Sequence, residues 1–395
     1  LLRRGGDAGA DPEISVRAGE DMDVRIQPDR LAETFAALVA IDSPSYGERQ
    51  MADELTRRLR ALGLTVEEDD AAERIGGTSG NLYGFLPGTL DLPPLLLCAH
   101  MDTVAPANGK RAVREPDGRI HSAGDTVLGA DDLAAVAIIL EVLEALAESG
   151  APHRPVEVLF SASEETYCVG ASAFDFSRVR SREAYVLDYE GPLGEAVTAA
   201  PTILEFTAEI LGRASHAGFS PEAGVSAIAA AARAIAAVKS GRVAEDTTLN
   251  FGCIQGGTAT NIVPDRCQVR GEIRSGCHQR ALDQSETVRQ AFAAACEALG
   301  AELRYRDKCF IRAYQIPASA PVVQRYFRAC RARGYETRTV TTFGGSDNNL
   351  LAASGITGIV MPAAMHRCHS CQEYTSVQEL TAVAEVTADL VLSRD

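Results

Sequence analysis

Leu95-Leu-Leu-Cys-Ala-His100-Met-Asp102-Thr-Val is the stretch whose reading decides the fold. Its unbroken apolar run, set off by Pro93-Pro94, has the texture of a strand buried on both faces at the centre of an α/β sheet. The run stops at a histidine and, two residues later, an aspartate. Open α/β sheets carry their ligands and catalysts just beyond the carboxyl ends of their strands, so His100 stands where such a group belongs. Alone, the pair is equally well explained as a histidine capped by a neighbouring carboxylate at the start of a loop.

Working outward, apolar residues recur at helical spacing from 28 to 41 (Leu31, Phe35, Leu38, Val39) and from 47 to 62 (Met51, Leu55, Leu59, Leu62). Residues 64–67 and 81–86 suit strands, Asp131 opens a long helix (Leu133, Val136, Ile139, Leu140, Leu143, Leu146), and Val156-Glu-Val-Leu-Phe-Ser suits another buried strand. This alternation implies a largely parallel sheet with helices on both faces. Near Glu195 the texture changes. A long alternating strand at 202–211, an alanine-rich helix at 226–238, strands at 249–254 and 267–273, a helix at 282–299 and a short strand ending at Leu303 give a βαββαβ order. Alternating rather than continuously apolar strands suit a separate α+β layer with one exposed sheet face. The α/β texture then returns with a helix at 320–333, strands at 337–342 and 355–361, and a closing helix at 377–392. The expected fold class is α/β: a catalytic domain with a mixed, largely parallel sheet, formed by 22–195 and 309–395, interrupted by an inserted domain of 196–308. Residues 1–21, polar and without periodicity, are expected to be an unstructured extension.

Composition narrows the function. Lys plus Arg number 38 against 54 Asp plus Glu, a formal charge of −16, with no basic stripe, which argues against nucleic acid and anionic membranes as partners. The ten cysteines follow no framework spacing, as a reducing cytoplasm permits. Glu141 and Glu144 interrupt the most apolar helical stretch, 133–147, so neither a signal peptide nor a membrane span is expected.

Four strand ends carry acids or histidines: His100 with Asp102, Glu164-Glu165, Asp188, and His369. Asp131-Asp132 adds a pair at a helix start. Each has an ordinary explanation as a helix cap, a dipole partner or a turn residue. Sheet topology would bring all of them to one edge, and chance does not account for that. Two imidazoles and three carboxylates form a nitrogen and oxygen set suited to zinc, enough for two ions if one carboxylate bridges. Paired zinc ions about 3.5–4 Å apart can share and acidify a water, and the adjacent glutamate left uncoordinated can carry its proton.

The ordered motifs His-x-Asp (100, 102), Gly-Ala-Asp-Asp (129–132), Glu-Glu (164–165), Asp188 and His-Ser-x-x-Glu (369–373) resemble the co-catalytic zinc peptidases of the peptidase T type. Their relatives include bacterial carboxypeptidases and aminoacylases. The resemblance extends from about residue 28 through Ser215-His-Ala-Gly-Phe-Ser-Pro-Glu, Gly256-Gly-Thr-Ala-Thr-Asn261, Glu272-Ile-Arg274-Ser and Gly344-Gly-Ser-Asp347-Asn. It implies that His100 and Asp188 hold one zinc, that Glu165 and His369 hold the other, and that Asp131 bridges; cobalt or manganese are alternative metals. Asp102 would orient the His100 ring. Glu164 would be the base, and the Asp131–Asp132 peptide would be cis. The inserted domain would be a dimerisation lid through which His216 reaches the partner's site in a homodimer. Asn261 and Arg274 would bind the substrate's backbone or carboxylate.

The resemblance also has departures. Leu133-Ala-Ala follows the aspartate pair where relatives carry Lys or Asn and then small residues, and Cys368 and Cys371 flank His369. A thiol metal or redox pair is a minor alternative there, and His366 is a rival ligand. His121, His153 and His278 are expected at the surface. The implied activity is hydrolysis of short peptides, most simply as a cytoplasmic di- or tripeptide aminopeptidase. The rivals are an N-acyl-amino-acid amidohydrolase with the same metal site and an inactive zinc-bearing scaffold protein.

Overall fold

The structure, a computed structural model, describes residues 24–395; the extension expected over 1–21 lies outside them. The strand Leu95–His100 is buried along its whole length and pairs in parallel with Val156–Ser161 on one side and Glu183–Leu187 on the other. Thr357–Met361 continues the parallel set beyond Glu183–Leu187. Antiparallel strands flank this set in a nine-stranded mixed sheet, with Thr65–Glu68 and Leu82–Leu86 at one end and Glu195–Ala200 at the other, where Tyr314–Gln315 pairs antiparallel and Arg338–Thr341 parallel to Glu195–Ala200.

A strand's side chains alternate between faces, and here both faces are covered. Leu95, Leu97 and Ala99 join a core with the helices Pro28–Val39, Arg49–Ala61, Ala130–Ser149 and Val377–Leu392. Leu96 and Cys98 turn the other way, toward Phe174, Val179, Leu351 and Ile356. Truncating Leu97 to alanine in such a core would cost about 2–5 kcal/mol. The helix Ala130–Ser149 is apolar nearly all round because helices and sheet enclose it. Glu141, buried in its middle, accepts hydrogen bonds from Gln27 N (2.7 Å) and from Arg30 Nε and Nη2 (2.7 and 2.9 Å). The glutamate that interrupts the apolar pattern is therefore a clamp on the first helix.

The second sheet is antiparallel throughout, in the order Gly241–Ala244, Thr247–Gly256, Arg266–Ser275, Thr202–Leu211, Glu302–Ile311. The helices Ala227–Ala236 and His278–Leu299 pack on one face with Leu204, Phe206, Val269 and Phe292. Three details differ from the sequence reading. Glu195–Ala200 pairs within the large sheet, so the sheets change hands at Pro201 rather than at 195–196. The last strand does not end at Leu303 but runs to Ile311, past the expected boundary at 308. Its Arg304, Arg306 and Lys308 occupy a solvent face and hide the alternation. A short extra strand, Gly241–Ala244, makes the order βαβββαβ.

A small sheet of Ala112–Arg114, Arg119–Ser122 and Tyr374–Ser376 ties the segment after His369 to the body of the fold. His153, expected at the surface, is buried: its Nδ1 lies 2.7 Å from the Arg154 carbonyl, and its own carbonyl accepts from Thr89 and Leu90 N–H. Among the described residues no helix is long and apolar enough to cross a membrane, and all ten cysteines are free.

Candidate metal centre

The parallel strands deliver their carboxyl ends to one edge, and there the polar residues gather. His100 is buried with both ring nitrogens engaged. Nδ1 lies 2.9 Å from the Asp102 carbonyl and 3.3 Å from its carboxylate, and Nε2 lies 3.1 Å from Asp131 Oδ1. The Asp102 carboxylate does more than orient this ring. It accepts from Ser45 Oγ (2.6 Å) and from the backbone N–H groups of Glu164 (2.9 Å) and Glu165 (3.3 Å), fixing the turn that presents the two glutamates. Buried Glu48 holds the preceding residue, accepting from Ser163 N and Oγ at 2.9 and 2.7 Å.

Asp131 stands between the two histidines, with Oδ1 facing His100 and Oδ2 3.3 Å from His369 Nε2. The same His369 nitrogen is 3.0 Å from Glu165 Oε2. Donor atoms of His100, Asp131 and Asp188 lie within 4.8 Å of one another, and so do those of Asp131, Glu165 and His369. Asp131 belongs to both groups. The helix Ala130–Ser149 is not helical at its start, with Asp131 at φ −82°, ψ 98°, and the Asp131–Asp132 peptide is cis, as expected.

Glu373, the last residue of the His-Ser-x-x-Glu motif, has a structural role. Its buried carboxylate accepts from Gly129 N at 2.7 Å and Asp131 N at 2.8 Å, gripping the turn on which Asp131 sits. Nothing in sequence marks a carboxylate as an acceptor for distant backbone donors; only its fixed spacing from His369 singled it out. Gly129 itself has φ +79°, and a Cβ there would lie 2.9 Å from Thr103 Cγ2, so the turn needs glycine.

The cavity at this edge, about 340 Å³, is lined by Asp131, Glu164, Glu165, Asp188, Glu190 and His369 among others, with no lysine or arginine. Burial, and then the Asp188 charge, push the Glu164 carboxyl well above its ordinary range, and burial does the same to Asp188. Burial also pushes Asp131 upward, but hydrogen bonds from His100 and His369 together outweigh it and hold this carboxyl low. Hydrogen bonds to Asp131 and then Glu165 raise His369 to about 11. Glu165 Oε1 and Asp132 Oδ1 are buried without a hydrogen-bond partner. Buried carboxylates with orphaned oxygens are stabilised either by protonation or by a compensating cation, and this donor set offers a cation a place. Two imidazoles and three carboxylates fit zinc, cobalt or manganese.

Other expected residues fall at varying distances from the cavity. Arg274 borders a recess of about 190 Å³ beside Glu164, Glu165 and His369. Its guanidinium pairs with Glu272 (2.6 and 3.2 Å) and donates to the Phe343 carbonyl at 2.8 Å. His216 is exposed on the second sheet's domain, its Nδ1 accepting from Gly218 and Phe219 N–H at 3.1 Å each, and it does not line the cavity. Asn261 is exposed nearby, its carbonyl accepting from Ala217 N–H at 2.9 Å. The rival ligand His366 instead bonds Glu379 at 2.8 Å and stacks on Tyr374. Cys368 lines the cavity and Cys371 donates to the Asp125 carbonyl at 3.3 Å, but neither joins a group of three donors.

Residues 198–303 match the family described as a peptidase dimerisation domain, and residues 81–197 match peptidase family M28. Among solved structures, the chain is similar to aminopeptidase PepT from Bacillus cereus at 36% identity, covering 93% of this chain and 98% of that one with a TM-score of 0.87. It is similar to a tripeptidase from Staphylococcus aureus at 33% identity, with coverages of 93% and 98% and a TM-score of 0.89. It also shares 34% identity over 349 residues with the uncharacterised protein YqjE of Bacillus subtilis, 88% of this chain and 94% of that protein.

Proposed function

The chain belongs to the peptidase T-like metallopeptidases, and from that premise we propose that it removes the N-terminal residue of di- and tripeptides with two zinc ions and Glu164 as proton carrier. The observation that carries this reading is Asp131, which offers one oxygen to the group holding His100 and Asp188 and the other toward Glu165 and His369. Ions held by these five residues would supply Lewis acidity, lowering the pKa of the attacking water and stabilising charge on the scissile carbonyl.

The chain's own residues do the rest. Glu164 takes the proton of the attacking water and hands it to the leaving amine, a role suited to a carboxyl whose burial favours the protonated form. Asp102 holds Glu164 and Glu165 in register through their backbone N–H groups. Arg274, at the margin of the cavity, receives the peptide's carboxylate. His216 and Asn261 serve the partner's site across a homodimer built on the second sheet's domain. Six of the nine exposed large hydrophobic residues among those described, including Phe219, Ile254 and Ile262, lie on that domain, as a docking face requires. We assign the enzyme to the cytoplasm, where its ten thiols stay reduced.

The test is a panel of di- and tripeptides and N-acetyl amino acids offered to the purified, zinc-loaded protein. Cleavage of peptides with a free amino terminus is expected. Preference for the N-acetyl compounds would make it an amidohydrolase, and zinc binding with no turnover of any substrate would make it a binding protein.

A further inference from the structure

A third group of donors lies beside the two already described and shares no residue with them. Oxygens of Glu164 and Asp347 and the sulfur of Cys168 all lie within 4.8 Å of one another, and all three residues are buried. The local backbone builds this contact. Tyr167 and Cys168 both adopt positive φ, 66° and 55°, and Cys168 N–H donates to the Glu164 carbonyl at 2.7 Å. That turn brings Cys168 Sγ within 3.2 Å of Glu164 Oε1. Asp347 arrives from the Gly344-Gly-Ser-Asp347 motif. Its Oδ2 accepts from Ser161 Oγ, whereas Oδ1 has no hydrogen-bond partner although the residue is only 2% exposed. An orphaned, buried carboxylate oxygen beside a thiol and a second carboxylate is a donor set suited to a soft divalent cation. The group can also be reached, because Glu164 and Cys168 line the recess of about 190 Å³ that Arg274 borders.

We propose that Glu164, Cys168 and Asp347 form an inhibitory site for a third, thiophilic divalent cation, zinc or cadmium, which fills at excess metal and takes the base out of the reaction. The proposal rests on the peptidase reading with Glu164 as base. Binding forms a metal–sulfur bond and releases the thiol proton to solvent, with no change of oxidation state. A Glu164 lone pair committed to a cation cannot accept a proton from water. Sulfur in the donor set favours zinc, cadmium and cobalt over magnesium and manganese, so the site discriminates among metals where the five nitrogen and oxygen ligands do so less.

Cobalt(II) is the probe. Added to metal-free protein beyond the amount that saturates the catalytic pair, it should raise a near-ultraviolet thiolate-to-cobalt charge-transfer band, and peptidase activity should fall in proportion to that band. Cys168→Ser and Cys168→Ala should bind the first ions normally, lack the band and resist inhibition; Asp347→Asn should shift both effects to higher cobalt. Cys368→Ser should change neither. A band that survives Cys168→Ser, a band lost in Cys368→Ser, or inhibition without a band would overturn the proposal. Should the wild type hydrolyse no peptide with its first ions bound, the peptidase reading fails, while the band still decides whether the third site exists.

Discussion

The two halves of the proposed metal centre are built to different standards. His100 terminates a central strand, its side chain is 2% exposed, and both ring nitrogens are engaged, one by Asp102. His369 sits in a turn at φ +61°, its side chain is 58% exposed, and its contacts to Asp131 and Glu165 both run through Nε2. A ligand whose second nitrogen is anchored is preorganised, and one without that anchor must be ordered by the ion itself. The difference predicts that, with ions bound, the half containing His100 and Asp188 would hold its ion tightly, whereas the half containing His369 and Glu165 would exchange its own. Asp131, on a turn gripped by Glu373, would make the second depend on the first.

Removing the shared residue breaks the comparison outright. Asp131→Ala should strip both ions and abolish hydrolysis, measurable as metal content after dialysis and turnover of a tripeptide. Glu164→Gln should leave both halves loaded while turnover falls by roughly two to four orders of magnitude, the range for a lost general base; kinetics alongside metal analysis separates the two variants. Glu373→Gln offers the turn one acceptor in place of two. It should lower metal affinity by about 10–100-fold without changing the ligands, with partial recovery in Glu373→Asp.

The smallest effect lies behind the buried half. Lys110 is fully buried, bonds Thr103 Oγ1 at 3.0 Å, and is pushed by burial from its ordinary 10.5 to about 8. A lowered lysine pKa means that the folded state opposes the charged form. The penalty is complete below pH 8 and is relieved as pH rises from about 8 toward 10.5, where the unfolded chain binds more protons. Lys110→Met should therefore gain stability relative to wild type at pH 7, and the gap in Tm should narrow across that window.

How much of this was legible in the sequence depends on what kind of force places each residue. The strand Leu95–His100 announced itself because burial on both faces demands a continuous apolar run, and its abrupt end marked the site. Four of the five candidate ligands were legible because each lies at a strand end or a helix start, positions that pattern alone reveals; His369 lies in a turn eight residues past Met361 and was found through its motif. Glu373 and Asp102 as holders of backbone N–H groups were not, since those donors belong to residues far along the chain and carry no side-chain signal. Glu302–Ile311 looked shorter than it is because one of its faces is solvated and charged. His153 was misplaced for the opposite reason: a polar residue in a polar stretch can still be buried when its neighbours' backbone satisfies it. His216 and Asn261 make no contact with the cavity within one chain, so their expected roles depend on a second subunit.

The most direct test of the shared, unequal pair is a zinc titration of metal-free protein against a competing chelator, following occupancy and tripeptide hydrolysis together. About two ions per chain are expected, binding in separate steps, with hydrolysis appearing at the second step and His369→Ala removing that step alone. Full activity with a single ion, or loss of the first ion rather than the second in His369→Ala, would contradict it.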